Sequence, residues 1–204
     1  FEDQFHGTSL DTVKWTASSG TPAVASSVLT LTDPSVNEAV SSVKKFLYGV
    51  LSFRVKPSDT GGVRFGFGVY DSYYIGFVNG SFRTGNAAQG ASTLTSVTLS
   101  TTDYQECTII WTPNYAGFLV DGVLKVLHTT NITTEPKPID MVSNPGVTLL
   151  VDHVVLTPYG DIPFTERGRV PVTLMDTSFN QMPSMDTAAR RGYVQLTDGT
   201  DSAV

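Results

Sequence analysis

Apolar and polar residues alternate in short runs along most of this chain. Over 51–55, Leu51, Phe53 and Val55 are separated by Ser52 and Arg54, and the run stops at Lys56-Pro57-Ser58-Asp59. Over 63–69, Val63, Phe65, Phe67 and Val69 alternate with Arg64, Gly66 and Gly68. A period of two sends successive side chains to opposite faces, so both runs predict strands with one buried face. Further strands are predicted over 28–32, 73–78, 81–84, 94–99, 106–112, 116–120, 123–128 and 146–156, each bounded by Gly, Pro, Ser, Asp or Asn. Asn79-Gly80 and Asp121-Gly122 are dipeptides that tight hairpin turns prefer. Helical spacing is scarce, and 36–47 and 185–191 could each form one turn at most. Strands at this spacing predict an all-β antiparallel sandwich or barrel.

The pattern changes near Pro158. Pro158, Pro163 and Pro171, with Gly160 and Gly168, break the alternation and read as a linker or extended arm. Alternation resumes over 192–197, before Asp198-Gly199, as a strand entering a hairpin whose partner lies beyond Val204. The expected division is a sandwich over 1–157, an arm over 158–191, and the start of a further β element over 192–204. A chain that opens on Phe1, with no leader pattern, reads as a piece of something longer.

Composition narrows the classes. The chain has 204 residues, 40% of them hydrophobic, enough for a real core. The net charge is −6, and the basic residues form only pairs such as Lys44-Lys45 and Arg190-Arg191. That argues against nucleic acid as a partner, which calls for a cationic face. No run approaches the length of a membrane-spanning helix. A single cysteine, Cys107, excludes an internal disulfide and a cysteine-based zinc site.

Three stretches carry a resemblance. Phe1-Glu2-Asp3-Gln4-Phe5-His6-Gly7-Thr8-Ser9-Leu10-Asp11, with Lys14-Trp15, resembles the opening of concanavalin A-like sandwiches, notably laminarinase-type glycoside hydrolases. Ile109-Ile110-Trp111-Thr112-Pro113 through Phe118-Leu119-Val120-Asp121-Gly122-Val123 resembles a hairpin of the same superfamily and of laminin G-like domains. Leu149-Leu150-Val151-Asp152-His153-Val154-Val155-Leu156 resembles their closing strand. Together they imply a concanavalin A-like jelly roll over about 1–157.

The same resemblance frames the candidate chemistry. Retaining glycosidases use two carboxylates about 5–5.5 Å apart. In laminarinase-like proteins these are glutamates two or more positions apart on one strand, and the matching region here is 63–84. It holds one acid, Asp71, and no glutamate. The expectation is therefore a protein that is not an enzyme, with no catalytic residues. Tyr70, Tyr73, Tyr74, Phe77 and Phe82 fall in the segment where the hydrolases build their cleft. Tyr70, Tyr73, Tyr74 and Phe82 are the candidate glycan-binding residues, since aromatic rings stack on sugar faces. The alternative is that these aromatics fill the inter-sheet core. Asp152 stands where the relatives often ligate a structural calcium, the one metal or cofactor the chain suggests. An aspartate bonded to backbone at a sheet edge is the equal alternative.

A last resemblance concerns the C-terminus. Gly192-Tyr193-Val194-Gln195-Leu196-Thr197-Asp198-Gly199-Thr200 resembles a phrase found in structural proteins of tailed bacteriophages. It implies a non-catalytic virion module such as a decoration, fibre or tail-associated protein. The 158–204 arm would then contact other virion subunits, the sandwich would contact a cell-surface glycan, and the protein would be a homo-oligomer within an assembly. Two alternatives stay open: a secreted carbohydrate-binding module of a bacterial polysaccharide-degrading protein, and a divergent glycoside hydrolase.

Overall fold

The computed structural model describes residues 1–69, 73–86 and 91–158, together with the two short strands at 169–170 and 194–195. In chain order the strands are β1 (Glu2–Asp3), β2 (Trp15–Ser19), β3 (Ala23–Ala25), β4 (Val28–Leu31), β5 (Glu38–Phe46) and β6 (Gly49–Pro57). There follow β7 (Val63–Phe67), β8 (Tyr73–Val78), β9 (Ser81–Asn86), β10 (Ala91–Ser96), β11 (Gln105–Trp111) and β12 (Ala116–Val120). Then come β13 (Val123–His128), β14 (Lys137–Ser143), β15 (Leu149–Pro158), β16 (Arg169–Val170) and β17 (Val194–Gln195). Among the described residues one helical turn, Thr60–Gly62, intervenes, capped by the Asp59 carboxylate.

The strands form two antiparallel sheets. One has the order β13-β12-β11-β6-β15-β4-β3, with β1 also on β15. The other has the order β10-β9-β8-β7-β14-β5-β2. The fold is thus an all-β sandwich, as the alternation predicts. β16 and β17 pair with each other, through Arg169–Gln195 and Val170–Val194.

The inward set of each strand makes the core. From β6 come Leu51, Phe53 and Val55; from β7, Val63, Phe65 and Phe67; from β11, Cys107, Ile109 and Trp111. Aromatic rings bridge the two sheets. Phe82 stacks on Phe118 at 5.2 Å and Phe53 meets Phe65 edge-on at 5.2 Å, while Phe65 stacks on Phe77 of its own sheet at 5.1 Å. Each such ring stabilises by about 1.5–3 kcal/mol on burial. Asn79-Gly80 turns β8 into β9 with φ of 50° and 78°, the left-handed pair that a type I′ turn needs. That turn sets Phe77 opposite Phe82.

Within the sandwich five strands fall where none is expected: β1, β2, β3, β5 and β14. Residues 36–47 hold no helical turn; most of them form β5. Residues 137–143, where no strand is expected, form β14. β5 is paired by β2 and β14, and β14 by β5 and β7, so both are interior strands. Backbone pairing on both sides stabilises them where their own patterns are weak. Pro138 has no N–H to offer, and the β14–β5 register shifts beside it.

Candidate functional site

The outer face of the seven-stranded sheet gathers the polar groups of interest. On β14, Ile139 and Met141 point into the core, so Asp140 between them points outward. Its residue is 1% exposed. Asp140 lies opposite Ser41 of β5 on one side and Gly66 of β7 on the other. Gly66 in turn lies opposite Gly76 of β8, and Gly76 opposite Arg83 of β9. One row of the sheet therefore reads Ser41, Asp140, Gly66, Gly76, Arg83. The next row reads Ala39, Val142, Arg64 and Val78.

A second, smaller apolar cluster covers part of this face. It contains Ala39, Val69, Val78 and Val142, with Tyr74 packed against it. Val69 follows the turn at Gly68 and closes over Gly76. A Cβ on Gly76 would come within 2.6 Å of Val69 Cγ1 and 2.5 Å of the Phe65 carbonyl oxygen. The glycine is what lets the 68–69 segment fold onto the sheet.

Of the glycan candidates, Tyr74 is brought to this face and is half-buried, its ring lying over Gly85. Tyr70 lies outside the described residues, as does Asp71. Tyr73 belongs to β8, but its side chain is outside the description. Phe82 is corrected: it is fully buried between the sheets, against Phe118 and His128, and has no surface for a sugar. Phe77, grouped with it, is buried in the same aromatic stack.

Asp152 sits on the other sheet, where the β15–β6 register shifts between Val151 and His153. Its carboxylate pairs with the Arg54 guanidinium, which lies 4.9 Å from the Tyr104 ring. Calcium prefers several oxygen ligands at one point. A carboxylate held against a guanidinium does not fit a calcium site built on Asp152, and no group of three or more His, Cys, Asp or Glu gathers among the described residues. Tyr104 has its phenol pKa raised, by burial first and by the Asp152 charge second. His128 is buried between the sheets and holds its pKa below the ordinary value through desolvation. Cys107 is a buried thiol whose pKa burial pushes far up, so it is no nucleophile.

The acids of the seven-stranded sheet are Glu38 and Asp140. Glu38 is spent on the backbone N–H of Thr32. The outward residues of β7 are Arg64 and Gly66. Among the described strands of this sheet Asp140 is the acid on the outward side, buried beneath the surface, and sequence reasoning missed it because its strand went unrecognised. The alternation of Ile139, Asp140 and Met141 was the available signal, hidden by the prolines before it.

The family model described as glycosyl hydrolases family 16 matches residues 9–147. The chain belongs to this family. Solved glucanase structures share its architecture. A β-1,3-1,4-glucanase (lichenase) from a mouse hindgut metagenome superposes with a TM-score of 0.62 at 20% identity, over 78% of this chain and 98% of that one. The Bacillus licheniformis β-glucanase gives 0.60 at 21%, over 77% and 97%. The catalytic domain of an endo-1,3-β-glucanase (laminarinase) from Thermotoga petrophila gives 0.58 at 12%, over 76% and 95%. At these identities the likeness establishes the jelly-roll fold. No curated protein sequence matches the chain.

Membership of family 16 corrects the expectation of a protein that is not an enzyme. That expectation rested on the absence of paired glutamates over 63–84. The family match points instead to an enzyme, with a carbohydrate-related function. The virion reading, drawn from the 192–200 phrase, finds no support in these comparisons.

Proposed function

We propose that this chain is a divergent glycoside hydrolase whose substrate lies across the outer face of the seven-stranded sheet. The observation that carries the reading is the family 16 match over residues 9–147, with Asp140 the acid on the outward side of the seven-stranded sheet. Cleaving a glycosidic bond takes one group that gives a proton to the leaving oxygen and another that attacks or activates water. A carboxylate can serve in either role. Gly66 beside Asp140 leaves that flank without a side chain, and Ser41 lines the other. Tyr74 offers the aromatic surface on this face.

The test is release of reducing ends from β-1,3- and β-1,3-1,4-glucans and from charged polysaccharides. The wild-type chain should release them, and Asp140→Asn, matched in melting temperature, should lose at least about 100-fold of that rate, as for removal of a proton-transfer group. Full activity in Asp140→Asn would remove Asp140 from the mechanism. No release from any polysaccharide would sink the hydrolase reading.

A further inference from the structure

An edge strand presents unpaired backbone groups that invite another strand, and folded proteins blunt such edges with bulges, prolines, charges or short length. Three of the four outer edges of the two large sheets are blunted in this way. β2 follows Lys14 and has a register shift between Ala17 and Ser19. β3 is three residues long and follows Pro22. β13 carries Lys125 and pairs with β12 through a register shift. β10, at the end of the seven-stranded sheet, has none of these devices. Its six residues pair with β9 without a shift, and no charged residue or proline falls between Arg83 and Asp103. The Val97 N–H donates to the Gly80 carbonyl at 3.0 Å, which sets the phase of the β9–β10 ladder. Thr93 and Thr95 therefore bond to β9, and the N–H and C=O groups of Ser92, Leu94 and Ser96 point away from it. Thr95 lies opposite the core residue Phe82, so Leu94 beside it takes the outer face, where it is 49% exposed.

We propose that this edge pairs with the same edge of a second copy, closing a two-fold dimer in which the two seven-stranded sheets run on as one. An antiparallel register centred on Leu94 sets Leu94 against Leu94 and Ser92 against Ser96. These are the positions whose backbone groups are turned outward, so each pair exchanges both of its N–H···O bonds. A strand that meets its own copy brings like residue near like, and a charge close to its centre would oppose itself. Ser92 to Ser96 hold no charge, which is what self-pairing requires and what pairing with an oppositely charged strand would not. The two Leu94 side chains then cover one another on the outer face. Few large apolar side chains are left exposed among the described residues, and this contact removes one of them from water in each copy. The dimer is independent of whether the chain cleaves glycans.

Sedimentation of the whole chain over a range of concentrations tests this. The wild type should approach a mass of twice 21.9 kDa as concentration rises. Leu94→Lys, which sets two ammonium groups against each other at the two-fold, should raise the dimer dissociation constant at least about tenfold. Ser96→Pro removes only an outward N–H and should weaken the dimer as well, which keeps the test decisive should Leu94→Lys misfold. Leu127→Lys, on the edge of the other sheet, should leave the dimer unchanged. The register has its own readout. Residues opposed in a hydrogen-bonded pair lie about 5.5 Å apart at Cα, within reach of a disulfide. Under mild oxidation Leu94→Cys should therefore cross-link into a dimer far faster than Leu127→Cys, with the native Cys107 buried and silent. A monomer at every concentration would overturn the proposal and leave the edge to a strand of another protein. So would a dimer that survives both Leu94→Lys and Ser96→Pro, or equal cross-linking at positions 94 and 127.

Discussion

His128 shows how a single residue ties the two sheets. Its Nε2 meets the Thr95 hydroxyl at 2.9 Å and its Nδ1 the Thr84 hydroxyl at 3.1 Å. Thr84 gives its own hydrogen to the Thr130 carbonyl, so its oxygen accepts from Nδ1–H. The neutral imidazole satisfies both contacts. Protonation would add a donor facing Thr95 and a charge in a buried place, which is why desolvation lowers the pKa. A lowered folded pKa means the unfolded chain takes up the proton first. Stability is then complete above the ordinary value of 6.5 and declines as pH falls below it. Urea midpoints at pH 7.5 and 5.5 should drop for the wild type and drop less for His128→Gln. An equal drop in both would assign the pH dependence elsewhere. Trp15 works in the same register without titrating. Its indole N–H donates to the buried Asp3 carboxylate at 2.7 Å and pins the N-terminal segment to the core.

At the level of elements, registers decide what each face displays. The Asn79-Gly80 turn sets Phe77 against Phe82 in the core and Arg83 beside Gly76 outside. A shift of one residue would exchange the two sets. Gly76 leaves no room for a side chain, between the Phe65 carbonyl and Val69. Gly76→Ala should cost about 2–3 kcal/mol through overpacking, read as a lower urea midpoint. Val69→Ala in the same background should recover only part of that loss, because the clash with the Phe65 backbone carbonyl remains. β6 and β7, which alternate, and β11, with its apolar run, are legible in the sequence. β5 and β14 are not: Glu38-Ala39-Val40-Ser41-Ser42 and Lys137-Pro138 show no clean period, and only neighbours on both sides make them strands. Asp140 was invisible with β14, and Arg64 was visible as the outward residue of β7.

For the whole molecule, the last strand of the sandwich is the decisive one. β15 pairs with β6, β4 and β1 and ends at Pro158. Every strand of both sheets lies within 1–158. A chain ending at Pro158 should unfold cooperatively with a melting temperature within about 5 °C of the full chain, a shift of roughly 1–2 kcal/mol. A chain ending at 147, where the family match ends, lacks β15 and should fail to fold. Loss of folding in the 1–158 fragment would show that the C-terminal segment is part of the sandwich's stability.

The sequence by itself determined the class of fold. Alternation with a period of two, broken by turn dipeptides, admits little except antiparallel strands, and it set which face Arg64, Phe65 and Trp111 take. It also carried the three stretches that resemble glucanase sandwiches. Which strands become neighbours was decided only in three dimensions. Asp140 meets Gly66 across 74 positions of chain, and Arg64 and Arg83 share a face because β8 lies between their strands. Pairings of that kind depend on burial and backbone hydrogen bonding across the whole sheet. No local pattern encodes them, so the acid-poor strand at 63–69 looked inert until the strand carrying Asp140 was set beside it.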